Sequence, residues 1–243
     1  MAKISQKEWK RYIELMSQLS DSAAQEFSSM IVSLGGYGVL DERQIVSIAY
    51  DIVAKYGEGS SALTASLYDS LAMVQGASVP AAEVFGMDFE DVAKTVDAVL
   101  RDYTDMNYMN SVVGKMVKQV GADTLVKNAI RDGAEVAWVP SGDTCAFCLT
   151  LGSRGWQKVS KRSLKNGHAE HIHPKCDCQY CVRFDSETTV EGYDPEAYQK
   201  IYYSAEGNTP RERINSMRRQ FYAEDKAKGE GTNNSELVDL STL

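Results

Sequence analysis

Apolar residues recur at intervals of three and four along the first third of the chain, the spacing that lines one face of an α-helix. Trp9, Tyr12, Ile13, Met16 and Leu19 form the first such stripe, and Phe27, Met30, Ile31 and Leu34 resume it. Ser5 and Glu8 stand before it at capping-box spacing, where each side chain can satisfy a backbone N–H of the other. Gly35-Gly36 ends the stripe. Asp41 with Gln44 predicts a second capped start, followed by Ile45, Ile48, Ala49, Ile52 and Tyr56 on one face. Gly57-Glu58-Gly59 predicts a break, with Ser60 capping a third helix that sets Leu63, Leu67 and Leu71 four apart. Stripes of this kind are the inward faces of a helix bundle.

A polar, alanine-rich connection with Pro80 and Gly86 leads to helices predicted at about 88–104 and 108–132. The pattern then changes. Ala134 to Pro140 is short, β-branched and aromatic, and predicts a strand. Ser141 to Thr144 predicts a turn in which Asp143 caps a short helix carrying Cys145 and Cys148. A loop with Gly152, Gly155, Asn166 and Gly167 follows. Cys176 to Phe184 predicts a second strand, which would set Cys176 and Cys178 on the same face. Tyr193-Asp-Pro195 and Thr209-Pro210 each open a helix, since proline suits a first helical turn. Ile214, Met217 and Phe221 face inward on the last. From about Lys226 the composition is that of a disordered tail.

The fold class implied is α+β, mainly α. A helical region over residues 1–133 precedes a small metal-stapled α+β module at 134–205, a C-terminal helix at 206–227 and a flexible tail at 228–243. No internal repeat is visible.

Composition narrows the function. Apolar and charged fractions of 43% and 25% are those of an ordinary globular protein. A net charge of −8 argues against a general nucleic-acid binder, which would show a basic face. One local basic stripe, Arg211, Arg213, Arg218 and Arg219, could meet nucleic acid or an acidic partner, although such charges usually form a solvated helix face. No apolar run approaches the ~20 residues needed to span a bilayer. The first residues lack the apolar segment of a secretory signal. A cytoplasmic origin is therefore expected, where clustered cysteines are more often metal ligands than disulfides.

The clustering is pronounced. All five cysteines and all three histidines lie between Cys145 and Cys181. Their order is Cys145-Ala-Phe-Cys148, a long gap, then His173-Pro-Lys-Cys176-Asp-Cys178-Gln-Tyr-Cys181. Thiolate and imidazole are the donors a tetrahedral zinc site selects, and a C-x-x-C closing on a distant H-x-x-C is a spacing such sites use. The set favoured by spacing is Cys145, Cys148, His173 and Cys176. Cys178 can replace Cys176 or His173, and Cys181 is the weakest candidate, facing away on the predicted strand.

Catalytic readings fit less well. His168-Ala-Glu170 has the His-x-Glu form of a zinc deaminase, but it follows Cys145-x-x-Cys148 and lies too close to Cys178-x-x-Cys181. A nuclease finger built from His168, His171 and His173 lacks a visible general base. A redox role for Cys145-x-x-Cys148 lacks a thioredoxin-like setting. A structural metal and no enzymatic activity are the expectation.

The residues around the cysteines carry more information than the cysteines themselves. Thr144-Cys-Ala-Phe-Cys148, continuing through Leu149-Thr-Leu-Gly-Ser-Arg-Gly155 and closing with His173-Pro-Lys-Cys176-Asp-Cys178, closely resembles the minor capsid proteins of tailed bacteriophages. These are the Mu F-like, or head morphogenesis, group in its actinobacterial phage form. Tyr56-Gly-Glu-Gly-Ser-Ser-Ala-Leu63 through Leu67-Tyr68-Asp69 resembles its N-terminal helical signature. Tyr193-Asp-Pro-Glu-Ala-Tyr198 through Ile201-Tyr202 resembles the segment after the cysteine motif, so the likeness covers roughly residues 40–205. Two departures are the fifth cysteine in Gln179-Tyr-Cys181 and a lengthened loop from Lys158 to Asn166.

The resemblance implies a virion protein placed inside the head near the portal, made and assembled in host cytoplasm. Its partners would be the portal protein, the major capsid protein and packaged DNA. Its roles would be head assembly and co-ejection with DNA, with zinc at the Cys/His positions holding the C-terminal module together. Two alternatives remain: a DNA-contacting internal protein using the arginine stripe, and a metal-dependent hydrolase. Mu F-like modules also occur joined to toxin or transferase domains, but little chain follows residue 227 to hold such a passenger.

Overall fold

The computed structural model describes residues 3–102, 106–141, 144–160 and 176–228. The protein is mainly helical with a small sheet region, as the pattern implies. The chain divides into two compact units, one of Met1–Ser141 with Trp156–Tyr193, the other of Gly142–Gly155 with Asp194–Leu243.

Among its described residues, the first unit is built on four helices. Helix α1, Gln6–Ser33, starts at the expected Ser5/Glu8 capping box and buries Trp9, Tyr12, Ile13, Met16, Phe27 and Ile31. Met30 and Leu34 fall off that face and are exposed. Helix α2, Glu42–Val74, starts at the Asp41/Gln44 capping box. It does not break at Gly57-Glu58-Gly59 but runs through it as one helix. The reason is tertiary. A Cβ on Gly57 would lie 3.2 Å from Val120 Cγ2, and one on Gly59 3.3 Å from Leu19 Cδ2. These glycines admit neighbouring helices, and the packing offsets glycine's helix penalty of about 1 kcal/mol. Beyond them the buried face of α2 is Ser60, Ser61, Thr64, Ala65, Tyr68, Leu71 and Ala72. Leu63 and Leu67 flank this face half-buried, so Ser60 packs inside the helix and caps nothing.

Helix α3, Phe89–Asp102, inserts Val92, Val96 and Val99 into the core, and helix α4, Met106–Asp132, lies against α1 and α2. Residues 77–88 have no regular structure but are pinned along α2 and α4 through their main chain. Asn128 accepts from the Glu83 N–H at 2.9 Å and donates to its carbonyl at 2.8 Å. Ser61 Oγ accepts from the Phe85 N–H and Asp69 from the Ala82 N–H, each at 2.8 Å. Arg131 donates to the carbonyls of Pro80 and Ala81. An irregular segment must satisfy its polar backbone somewhere, and here the helices do it.

Two small sheets complete this unit. Strand β1, Lys3–Ile4, pairs in parallel with β5, Thr189–Val190. Strand β2, Glu135–Val139, is central in a three-stranded antiparallel sheet between β3, Gln157–Lys158, and β4, Gln179–Arg183. Register sets Ala137 opposite Cys181 and Trp138 opposite Tyr180, whose rings meet edge-on at 4.8 Å. The sheet is tied to α2 by the Phe184 ring against Tyr68 and by the Phe184 N–H on Gln75. The predicted Cys176–Phe184 strand is shorter than expected, because Cys176 and Cys178 precede β4.

Among its described residues, the second unit holds three helices. Helix α5 is Ala146–Gly152; α6, Pro195–Ser204, is capped by Asp194 with proline in its first turn; α7 is Pro210–Lys228. Ala146, Leu149, Ala205, Ile214 and Met217 form its core, with Phe147, Tyr198, Tyr202 and Phe221 packed at the margin. Of the expected tail, 228–243, Lys228 ends α7 and residues 229–243 lie outside the described residues.

Candidate metal centre

The cysteines reach their places by local means. Cys145 is itself the N-cap of α5, where Asp143 was expected; Asp143 lies outside the described residues. Its sulfur accepts from the Cys148 N–H at 3.4 Å, so the C-x-x-C spacing is also a cap-to-N3 spacing. Cys148 is fully buried one turn into the helix.

Cys176 and Cys178 are buried by a different device. The Lys118 side chain of α4 is only 4% exposed and ends at Asp177, the residue between them. Its ammonium donates to the Cys176 carbonyl at 3.0 Å and to Asp177 Oδ1 at 2.6 Å. Ser17 of α1 donates to the same carboxylate oxygen at 2.7 Å. The Ser141 N–H, just beyond β2, points at Cys178 Sγ at 3.4 Å. Hydrogen bonds donated to sulfur stabilise the deprotonated thiolate, the form that binds metal.

The five cysteines form no disulfide. Cys176 and Cys178 are buried thiols of the first unit that could hold a metal ion, and Cys148 is a buried thiol of the second. Soft thiolate donors suit zinc, Cu(I) or an iron–sulfur cluster and are a poor match for magnesium or calcium. Cys181 stands apart on β4, where burial pushes its thiol well above the ordinary range against a weak bond to the Val182 carbonyl. A thiol held protonated in this way is a core side chain. His173, with His168, Glu170 and His171, lies outside the described residues.

Of the basic stripe on α7, Arg211 and Arg219 are exposed and Arg218 half-buried. Arg213 is engaged internally. Its guanidinium sits 5.6 Å from the ring centres of both Tyr202 and Tyr203 and donates to both their carbonyls, closing the C-terminal end of α6.

Spacing alone did not reveal Lys118, Ser17, Asp177 or Ser141. One signal was available: Lys118 falls in the helical series Gly114, Lys118, Gly121, Leu125, a single charge in a stripe of small and apolar residues.

A family model described as VG15 protein matches residues 3–205. The chain belongs to that family. The VG15 family is one of viral gene products, and membership suggests a phage protein of the virion type. The match spans both the helical region and the cysteine-bearing segments. No curated protein and no solved structure matches the chain. Among the described residues, no helix is long and apolar enough to cross a membrane.

Proposed function

We propose that this VG15 family member is a structural minor head protein of a tailed phage, sited inside the head near the portal. The observation that carries the reading is the family match over residues 3–205, supported by the resemblance of residues 144–155 and 173–178 to Mu F-like minor capsid proteins. Its partners are then the portal protein or the major capsid protein, its role head assembly and DNA ejection, and it performs no catalysis. The metal is structural zinc with four ligands drawn from Cys145, Cys148, His173, Cys176 and Cys178 of the Cys/His motif, because a closed four-ligand site is the structural form. Coordination energy then stabilises a loop-rich segment that has little core of its own.

Cross-linking mass spectrometry on purified phage heads tests this. The protein is expected in heads at fewer copies than the major capsid protein and cross-linked to the portal. Its absence from assembled heads would sink the reading.

The exposed Arg211 and Arg219 favour a second reading, contact with packaged DNA. Phosphate contacts release counterions, so any DNA binding must weaken as salt rises. An α7 variant with both arginines changed to alanine is the control, and no binding by the parent protein at low salt removes this reading.

A further inference from the structure

We propose that Lys118, through its ion pair with Asp177, is a positioning residue for the metal-binding thiols, so that the helix bundle sets how tightly the site holds its ion. The inference rests on the metal reading above and extends it to residues outside the Cys/His motif.

A buried ammonium is costly to desolvate unless it is paired, and a methionine or leucine would fill the same space without that cost. What the charge adds is a grip on the chain at one place. Lys118 Nζ holds the Cys176 carbonyl at 3.0 Å and Asp177 Oδ1 at 2.6 Å, and Ser17 Oγ holds that same oxygen at 2.7 Å. Two helices, α1 and α4, thereby fix the residue between the two thiols. The need arises from the secondary structure. Within a strand, residues two apart share a face automatically, but β4 begins only at Gln179. Cys176 and Cys178 lie before it, so another constraint must align them. The ion pair anchors this irregular segment, and the Ser141 N–H directs the second sulfur at 3.4 Å. Groups that orient metal ligands in this way typically change affinity by about 10–100-fold when removed.

The test is a metal titration of the full-length apo protein with Co²⁺ and Zn²⁺, against a chromophoric chelator. The variants are Lys118→Met, Asp177→Asn and the double variant. Each single variant is expected to bind metal about 10–100-fold more weakly. The thiolate-to-cobalt charge-transfer and d–d bands should also change shape, which a loss of packing elsewhere would not cause. The double variant should lose little more than the larger single loss, because both act through one pair. If the parent protein binds neither ion, the metal reading itself has failed. If the parent binds and both single variants keep its affinity and its spectrum, the positioning role is overturned, even should their melting temperatures fall. Should Lys118→Met not fold, Asp177→Asn decides alone, since its side chain is half-exposed and outside the core.

Discussion

Gly114 and Gly121 determine how closely α4 can approach its neighbours. A Cβ on Gly121 would lie 2.7 Å from Ser60 Oγ and 2.8 Å from Met16 Cε; one on Gly114 would lie 2.8 Å from the Ser20 carbonyl oxygen. Side chains can shift aside more readily than backbone, so Gly114→Ala is expected to cost more than Gly121→Ala. Overpacking of this kind costs roughly 1–3 kcal/mol, and urea unfolding of the two variants measures it. Asp132 gives a second residue-scale expectation. Its side chain is 3% exposed, and the Arg131 guanidinium beside it, joined by the Tyr68 hydroxyl, holds its carboxyl below the usual range. A depressed carboxylate contributes stability above its unfolded value of about 4 and loses that contribution as pH falls through the folded value. Parent protein should therefore destabilise more steeply than Asp132→Asn in the acid range. Parallel melting curves for the two would contradict this.

Among the elements, the segment at 77–88 shows where local sequence misleads. Its alanines, Pro80 and Gly86 imply an uneventful connection. Its order comes from side chains on other elements, chiefly Asn128, Ser61, Asp69 and Arg131. Asn128→Ala would leave the Glu83 N–H and carbonyl without these partners, at a cost of about 1–3 kcal/mol where no water replaces them. Hydrogen exchange should show the Glu83 and Phe85 amides losing protection together while the middle of α2 keeps its own. Unchanged protection at Glu83 would mean that the segment is held by something else. The long helix α2 teaches the same lesson. Its capping box and first stripe were legible, since both are local. Its continuity through Gly57 and Gly59 was not, because those glycines answer to Val120 and Leu19, which are distant in sequence.

For the whole molecule, the proposed metal site decides what can be measured. Purified protein is expected to carry about one zinc per chain, and a chelator should lower its thermal stability by destabilising the cysteine-bearing segments first, because metal-binding energy is folding energy in loop-rich modules. A metal-free preparation with the same melting curve would refute the staple. The amphipathic stripes, the two capping boxes, the proline-started helices and the cysteine-rich motif determined by themselves that the protein is helical, where most helices begin and which residue types would meet a metal. Those features depend on hydrogen bonds and spacings within a few residues, which sequence displays directly. Only the tertiary structure decided that Cys181 is a core thiol on β4 while Cys176 and Cys178 sit in irregular chain before it. It alone shows that Arg213 serves α6 and that a lysine on α4 grips the segment carrying Cys176 and Cys178. Each of these depends on which distant residue arrives alongside, and that is settled by close packing rather than by the neighbours in the chain.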